Sequence, residues 1–371
     1  MRRVLAAALL IAALPAGAQE GTWQPAWYAA PFPAIPVLLP NDRRTFENQN
    51  VRQFLTVEAE GDALRVRLTN ELGTTPLHVG SVRIGRADAD GGTIVRFAGA
   101  RSVDIPAGAP LLSDAIAMRV RRFERLTVSV HYDRAATPAA HLLPVELSEG
   151  MGAPQSVRAP GIVSAIEVRR ARPRRLVVAI GDSITEGTPD QASAHRSWPQ
   201  QLSARLGVTV LNAGISGGRL LKDGAGPSLL ARLDRDVLAQ PGVTDLVLLI
   251  GINDIGNGEK TGAPVTADAI IAGYRQVIAR AQGRGVRAIG ATILPYRGAA
   301  YYNERGEAVR RAVNAWVRES GEFDAVIDFA ATVADPADPG RLKATFDPGD
   351  HLHPNAEGYA AMAATAERVL R

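Results

Sequence analysis

The 371-residue sequence contains no cysteine. Disulfides, a lipobox cysteine, a thiol nucleophile and a thiolate metal site are therefore excluded, and any covalent catalysis must use an oxygen or a nitrogen. Long hydrophobic runs are equally scarce. The one that stands out, residues 4–14, follows Arg2-Arg3 and precedes Ala16-Gly17-Ala18, and it is shorter than the roughly 20 apolar residues that cross a bilayer. Charged, apolar and small-residue parts in that order read as a secretory signal peptide over residues 1–18, with a retained anchor as the alternative. A secreted or periplasmic protein without a membrane span is expected. Aromatic residues make up only 5% of the chain, which draws attention to the cluster Trp23, Trp27, Tyr28 and Phe32. Such a cluster can stack on sugar rings, and packing of the amino-terminal segment against a domain surface is the ordinary alternative.

What is present is a globular composition. At 46% hydrophobic and 22% charged residues, the chain can bury two cores and is too apolar for intrinsic disorder. The net charge is +4, carried almost entirely by arginine. The densest basic stretch, Arg169-Arg170-Ala171-Arg172-Pro173-Arg174-Arg175, reads either as a polyanion patch or as a solvated linker. No aromatic or glycine-rich recognition motif accompanies it, so nucleic acid is not expected as a partner.

Two halves differ in periodicity. Over residues 19–170 apolar and polar residues alternate: Leu64, Val66 and Leu68 with Arg65 and Arg67, then Leu126, Val128 and Val130 with Thr127, Ser129 and His131. A period of two with one polar face predicts half-buried antiparallel strands. Turn signals at Glu60-Gly61-Asp62, Asp90-Gly91-Gly92 and Pro106-Ala107-Gly108 have the spacing of a β-sandwich or jelly-roll-like domain. Residues 171–371 instead show buried apolar runs at 176–180, 208–211, 245–250, 287–294 and 325–327. A helix is predicted over 267–282, started by Thr266, and a closing helix over 355–370. Strands alternating with helices predict an α/β domain with a parallel sheet. The expected organisation is thus a signal peptide (1–18), a β-sandwich-like accessory domain (19–170) and an α/β domain (171–371).

In an open α/β sheet, functional groups collect beyond the carboxyl ends of the strands. The first α/β strand runs into Gly181-Asp182-Ser183-Ile184-Thr185-Glu186-Gly187. A serine at such a strand-to-helix junction can aim its hydroxyl and its amide at one volume, as a nucleophile needs, or can simply cap the helix. Thr185 occupies the place of the second glycine in a G-x-S-x-G elbow, which disfavours the α/β-hydrolase family. Asn212-Ala213-Gly214-Ile215-Ser216-Gly217-Gly218 and Gly251-Ile252-Asn253-Asp254-Ile255-Gly256 offer amides and an asparagine side chain as oxyanion donors, or form ordinary turns. Near the end, Asp350 and His353 lie three residues apart, so that a short loop can let the carboxylate orient the imidazole. Asp350, His351 and His353 also admit a metal site as a competing reading. His351 is the rival of His353 as base. His195 is either a cleft residue or a surface histidine, and His78, His131 and His141 fall in the β half without catalytic company. Asp182 and Asp254 are expected to hold loop backbone.

These four segments, in this order, resemble the blocks of the SGNH or GDSL hydrolase superfamily. Gly181-Asp182-Ser183 is similar to its nucleophile block, Gly214 to its glycine block, Gly251-Ile252-Asn253-Asp254 to its asparagine block, and Asp350-x-x-His353 to its terminal block. The resemblance implies a flavodoxin-like three-layer domain and a serine hydrolase. It makes Ser183 the nucleophile, His353 the base and acid, and Asp350 the orienting group. The implied oxyanion donors are the Ser183 amide, the Gly214 amide and the Asn253 side chain. The amino-terminal half looks like the accessory domain of a subset of bacterial GDSL-type esterases, some grouped with enzymes that deacylate plant polysaccharides. Trp23 to Trp27, Thr45-Phe46-Glu47-Asn48-Gln49-Asn50-Val51-Arg52-Gln53 and Arg65-Val66-Arg67-Leu68-Thr69-Asn70-Glu71-Leu72-Gly73 carry that likeness. The expected function is hydrolysis of a carboxylic ester, an acetyl ester of a carbohydrate, without metal or organic cofactor. A lipase or general short-chain acyl-esterase is the alternative, and a polysaccharide-binding protein with an inactive hydrolase domain is the reading from another class. The partner expected is a small-molecule or polysaccharide ester.

Overall fold

The computed structural model describes residues 21–34, 43–89, 91–150, 152–187 and 196–371. The signal-peptide reading of residues 1–18, Asp90 of one turn signal and His195 lie outside the described residues. Twelve strands among these residues make up the β half: β1 (Thr22–Tyr28), β2 (Gln49–Thr56), β3 (Leu64–Thr69), β4 (Leu77–Val79), β5 (Ser81–Arg86), β6 (Thr93–Val95), β7 (Val103–Ile105), β8 (Pro110–Leu112), β9 (Arg125–Tyr132), β10 (His141–Glu149), β11 (Gln155–Gly161) and β12 (Val163–Arg170). They form antiparallel sheets in the orders β1-β12-β3-β8 and β11-β10-β2-β9-β5-β6, with β4 and β7 as a separate pair. The alternation read in β3 and β9 is the cause. Leu64, Val66 and Leu68, and Leu126, Val128 and Val130, all point into one core, while their polar neighbours are partly exposed.

The α/β half contains β13 (Leu176–Gly181), β14 (Thr209–Gly214), β15 (Val243–Leu249), β16 (Arg287–Ala291) and β17 (Ala325–Ile327), in the order β14-β13-β15-β16-β17 and parallel throughout. This is the doubly wound order in which the chain reverses direction between β13 and β15, so a crevice opens beyond their carboxyl ends. Every residue of β13 is buried, as expected of a strand covered on both faces. Its helices are α1 (Ser183–Glu186), α2 (Trp198–Leu206), α3 (Leu229–Leu233), α4 (Ile252–Lys260), α5 (Ala267–Gln282), α6 (Glu304–Glu319), α7 (Phe329–Val333) and α8 (Ala356–Leu370). The predicted helix over 267–282 forms with Thr266 accepting the Ala269 amide as its cap, and the closing helix starts from an Asn355 cap.

Two strand limits differ from expectation by three residues, the others by at most two. Strand β14 runs to Gly214, three residues past the expected 211, because its pairing with β13 continues to Gly181 opposite Gly214. Strand β16 stops at Ala291 rather than 294. Beyond it the Asn314 side chain of α6 accepts from the Ile293 amide and donates to the Ile293 carbonyl, each at 2.8 Å, and so replaces strand pairing.

The halves are not loosely tethered. Tyr28, Ala30, Phe32, Leu142 and Ala165 are buried in the same apolar cluster as β13, β14 and α2. Of the aromatic cluster, Tyr28 donates its hydroxyl to Asp236 at 2.8 Å, Trp27 packs on the β core and Trp23 lies under the Arg65 guanidinium. In the basic stretch Arg169, Arg170 and Arg175 pair with Asp62, Glu60 and Asp245. At the carboxyl ends of β13 and β14, the buried Arg232 donates to the Gly181 and Ala213 carbonyls and pairs with buried Asp236. Burial raises the Asp236 carboxyl, but Arg232 and Arg235 outweigh it and hold the group below the usual range. Removing Arg232 takes from Asp236 its fully buried partner, leaving Arg235 and Tyr28, and takes a buried donor from two carbonyls. Arg232→Met should lower unfolding free energy by about 3–5 kcal/mol, read from urea denaturation. A loss under about 1 kcal/mol would contradict this role.

Candidate active site

Ser183 is the first residue of α1, immediately beyond β13, and Asp182 rather than Ser183 caps that helix: its Oδ1 accepts the Ile184 amide at 3.0 Å. The cap reading of Ser183 is thereby answered, and the serine hydroxyl is left for other work. Ser183 Oγ lies 2.7 Å from His353 Nε2, and His353 Nδ1 lies 2.6 Å from Asp350 Oδ2. The other Asp350 oxygen accepts the Leu352 and His353 amides, both at 3.0 Å. Burial pushes the Asp350 carboxyl up, but these amide and imidazole hydrogen bonds win and hold it below the usual carboxylate range. It is an anion able to fix the imidazole tautomer with a proton on Nδ1 and a lone pair on Nε2, facing the serine.

His351 goes elsewhere. Its Nδ1 meets Asp347 Oδ2 at 2.5 Å, its backbone has a left-handed φ of 60°, and it packs against Gly298. The two histidines thus serve different carboxylates instead of converging, and among the described residues no group of three or more His, Cys, Asp or Glu side chains is arranged to hold a metal ion.

The donors around Ser183 need one correction. Gly214 is the last residue of β14, and its amide already donates to Asn212 Oδ1 at 2.9 Å. An amide spent in this way cannot also serve an oxyanion. The requirement for glycine at this position is steric, since a Cβ here would lie 2.3 Å from the Glu186 amide nitrogen of α1. Three residues on, Gly217 adopts a φ of 74° and its amide has no acceptor among the described residues. Its turn abuts the end of β13, since a Cβ on Gly218 would sit 3.6 Å from the Gly181 carbonyl. The Gly217-Gly218 pair was the available signal, because a left-handed position in a loop after a strand needs glycine. Asn253 lies in the first turn of α4 and is buried. Its Nδ2 donates to the Gly218 carbonyl at 3.1 Å, which leaves its second N–H for a ligand.

The flanking aspartates hold backbone as expected. Asp254 accepts from the Leu220 and Leu221 amides at 2.7 and 3.0 Å, tying α4 to the chain after Gly218. Burial pushes the Asp182 carboxyl up to about 7. One histidine of the β half has company after all. His141, in β10, contacts Glu186 of α1 at 3.2 Å, which period-two strand reading could not reveal because the partner lies in the other half.

Residues 179–361 match the GDSL-like lipase/acylhydrolase family. They form a GDSL-like hydrolase domain. Solved structures similar to the chain include a member of the lipolytic protein G-D-S-L family from Veillonella parvula (22% identity, 53% of this chain and 97% of that one, TM-score 0.40). Others are a GDSL-like lipase from Bacteroides thetaiotaomicron (22%, 52% and 86%, 0.40) and a variant of an acetyl xylan esterase from Geobacillus stearothermophilus (20%, 52% and 93%, 0.40). No curated protein matches the chain. The match to the GDSL-like family makes the domain an acylhydrolase-type domain of the SGNH superfamily, and its five-stranded parallel sheet is the three-layer fold that the sequence resemblance implied. A serine-directed organophosphonate should label Ser183 of this domain stoichiometrically. His353→Ala should slow labelling by at least about a hundredfold, within the range of general-base contributions, whereas His351→Ala should leave it unchanged. Equal slowing by both variants, followed by intact mass, would contradict the assignment of the two histidines.

Proposed function

We propose that this chain is a serine esterase working through an acyl-enzyme, with Ser183, His353 and Asp350 as its triad. The observation that carries the reading is the continuous contact from Ser183 Oγ to His353 Nε2 and from His353 Nδ1 to Asp350, at 2.7 and 2.6 Å. The Ser183 oxygen attacks the ester carbonyl while His353 takes its proton. The resulting imidazolium is stabilised by Asp350, and His353 returns the proton to the departing alcohol. Water then repeats the sequence on the acyl-serine. The tetrahedral oxyanion is held by the Ser183 amide, the Gly217 amide in place of Gly214, and the second N–H of Asn253. The same intact constellation argues against a binding protein with a relic domain.

The substrate we infer is an acetyl ester of a carbohydrate. A cavity of about 530 Å³ between the Ser216-Gly217 turn and the β half is walled by Phe32, Leu142 and Ala225, with Arg158, Glu186 and His141 as its polar elements. Apolar walls with a few polar groups suit a sugar ring, which has apolar faces and a hydroxyl rim. Export belongs to the same reading and rests on residues 1–18 of the sequence. The apolar walls also favour a second reading, a general short-chain acyl-esterase or lipase.

Ser183→Ala should reduce kcat on a short-chain ester by about a thousandfold or more, and unchanged hydrolysis would end the proposal. Asn253→Ala should lower kcat by about a hundredfold. A loss confined to KM would assign Asn253 to substrate binding instead. Acid release from acetylated polysaccharides should exceed that from longer-chain acyl esters. The reverse preference would select the lipase reading.

A further inference from the structure

His141 lies in β10 of the β half, yet both of its ring nitrogens face acceptors, and one of these belongs to α1 beside Ser183. Nδ1 is 2.9 Å from the Ala30 carbonyl and Nε2 is 3.2 Å from Glu186 Oε1. A neutral imidazole has one N–H and one lone pair, so it would turn a lone pair toward an oxygen on one side. With Glu186 ionised, only the doubly protonated ring satisfies both contacts. The ring is buried, with Phe32 packed edge-on against it.

Glu186 passes the connection on. Its second oxygen accepts the Ser216 amide at 2.5 Å, and Ser216 directly precedes Gly217. The Gly218 carbonyl at the end of the same turn accepts from Asn253. From the other side, Asn212 Nδ2 donates to the Thr185 and Glu186 carbonyls that close α1. One chain of contacts therefore runs from the β half through a partly buried ion pair to the turn bearing the Gly217 amide and to the Asn253 side chain.

We propose that His141, as an imidazolium contributed by the β half, is a positioning residue of the esterase: through Glu186 it fixes the Ser216-Gly217-Gly218 turn in the geometry that receives the oxyanion. This inference rests on the esterase reading above. It makes the β half part of the catalytic apparatus, not an appended module. The groups facing the ring act on its charge in opposite directions. Burial disfavours the imidazolium and the Arg232 guanidinium opposes it, but Glu186 and the Ala30 carbonyl outweigh both and raise His141 above the usual histidine range. Arg158 lines the same cavity. Glu186 is correspondingly held below the usual carboxylate range: burial raises it, and His141 with the Ser216 amide lowers it by more. The sign follows directly. A group with a raised folded pKa contributes its stabilisation fully below its unfolded pKa, and that contribution is lost as pH rises through the folded value. The turn should therefore loosen on the alkaline side.

The test compares wild type, Ser183→Ala, His141→Gln and Glu186→Gln on a small neutral acetate ester across pH, with thermal unfolding as a fold check. His141→Gln keeps a polar side chain of similar reach and removes the charge. It should lower kcat by about tenfold or more, a fraction of the loss seen when an oxyanion donor is deleted outright. KM should stay within about twofold, as for an interaction made only in the transition state, and the alkaline fall in kcat should disappear. Glu186→Gln should behave likewise. Independently, nitrogen-15 NMR of folded wild type at neutral pH should show both His141 ring nitrogens protonated, the ring being assigned through its contact with Phe32. A folded His141→Gln enzyme with wild-type kcat and pH profile would overturn the proposal. So would a neutral His141 ring, even if every variant failed to fold. Ester hydrolysis absent from wild type, or persisting in Ser183→Ala, would instead overturn the esterase reading beneath it.

Discussion

Helix α1 has to cross the end of β14 at a distance that no side chain permits. A Cβ on Gly214 would stand 2.3 Å from the Glu186 amide nitrogen, and one on Gly181 would stand 2.3 Å from both the Leu249 carbonyl and Thr185 Oγ1. Those two approaches set where α1 begins, and hence where Ser183 projects between β13 and the loop carrying His353. The surrounding bonds follow from the same close approach. Asn212 takes the Gly214 amide and clamps the Thr185 and Glu186 carbonyls, while Arg232 donates to the Gly181 and Ala213 carbonyls at the strand ends. A glycine read in sequence as a donor is, in space, a clearance.

The same crossing brings Glu186 to the boundary between the two halves. Because Tyr28, Ala30, Phe32 and Leu142 share the core of the α/β sheet, the β half cannot shift without disturbing the floor of the site. Polar contacts add to this apolar seam: Tyr28 to Asp236, and Gln24, which donates to the Arg174 carbonyl and accepts the Arg174 amide. The cavity beside the Ser216-Gly217 turn is consequently a joint product of both halves, with Phe32, His141, Leu142 and Arg158 from one and Glu186, Ser216 and Gly217 from the other.

Much of this was legible in the chain. Strand alternation around Leu64–Leu68 and Leu126–Val130 gave the antiparallel half, and unbroken apolar runs gave the parallel one, because burial on one face or two leaves different periodicities. The contact of Ser183 with His353 and Asp350 joins residues that the resemblance of four short segments to the family's blocks had singled out, whereas local spacing alone left Ser183 as a cap and His351 as a rival base. Gly217 was not legible as a donor because Gly214, the glycine that the resemblance implied, stands in the same glycine-rich stretch, and only the pairing of β14 as far as Gly214 separates the two. His141 and Glu186 were beyond reach for a different reason. Their contact joins residues 45 positions apart across two differently patterned halves, and no periodicity encodes a pairing between a strand of one fold and a helix of another.

The central claim is that an acyl group resides transiently on Ser183, and its most direct measurement is rapid acid quenching of the enzyme with an activated acetate ester, followed by peptide mass mapping. The account predicts a burst of alcohol release approaching one equivalent per chain, with one acetyl group on the peptide containing Ser183. Acetyl found on a different residue, or steady hydrolysis with no acetyl on the chain at any quench time, would contradict it.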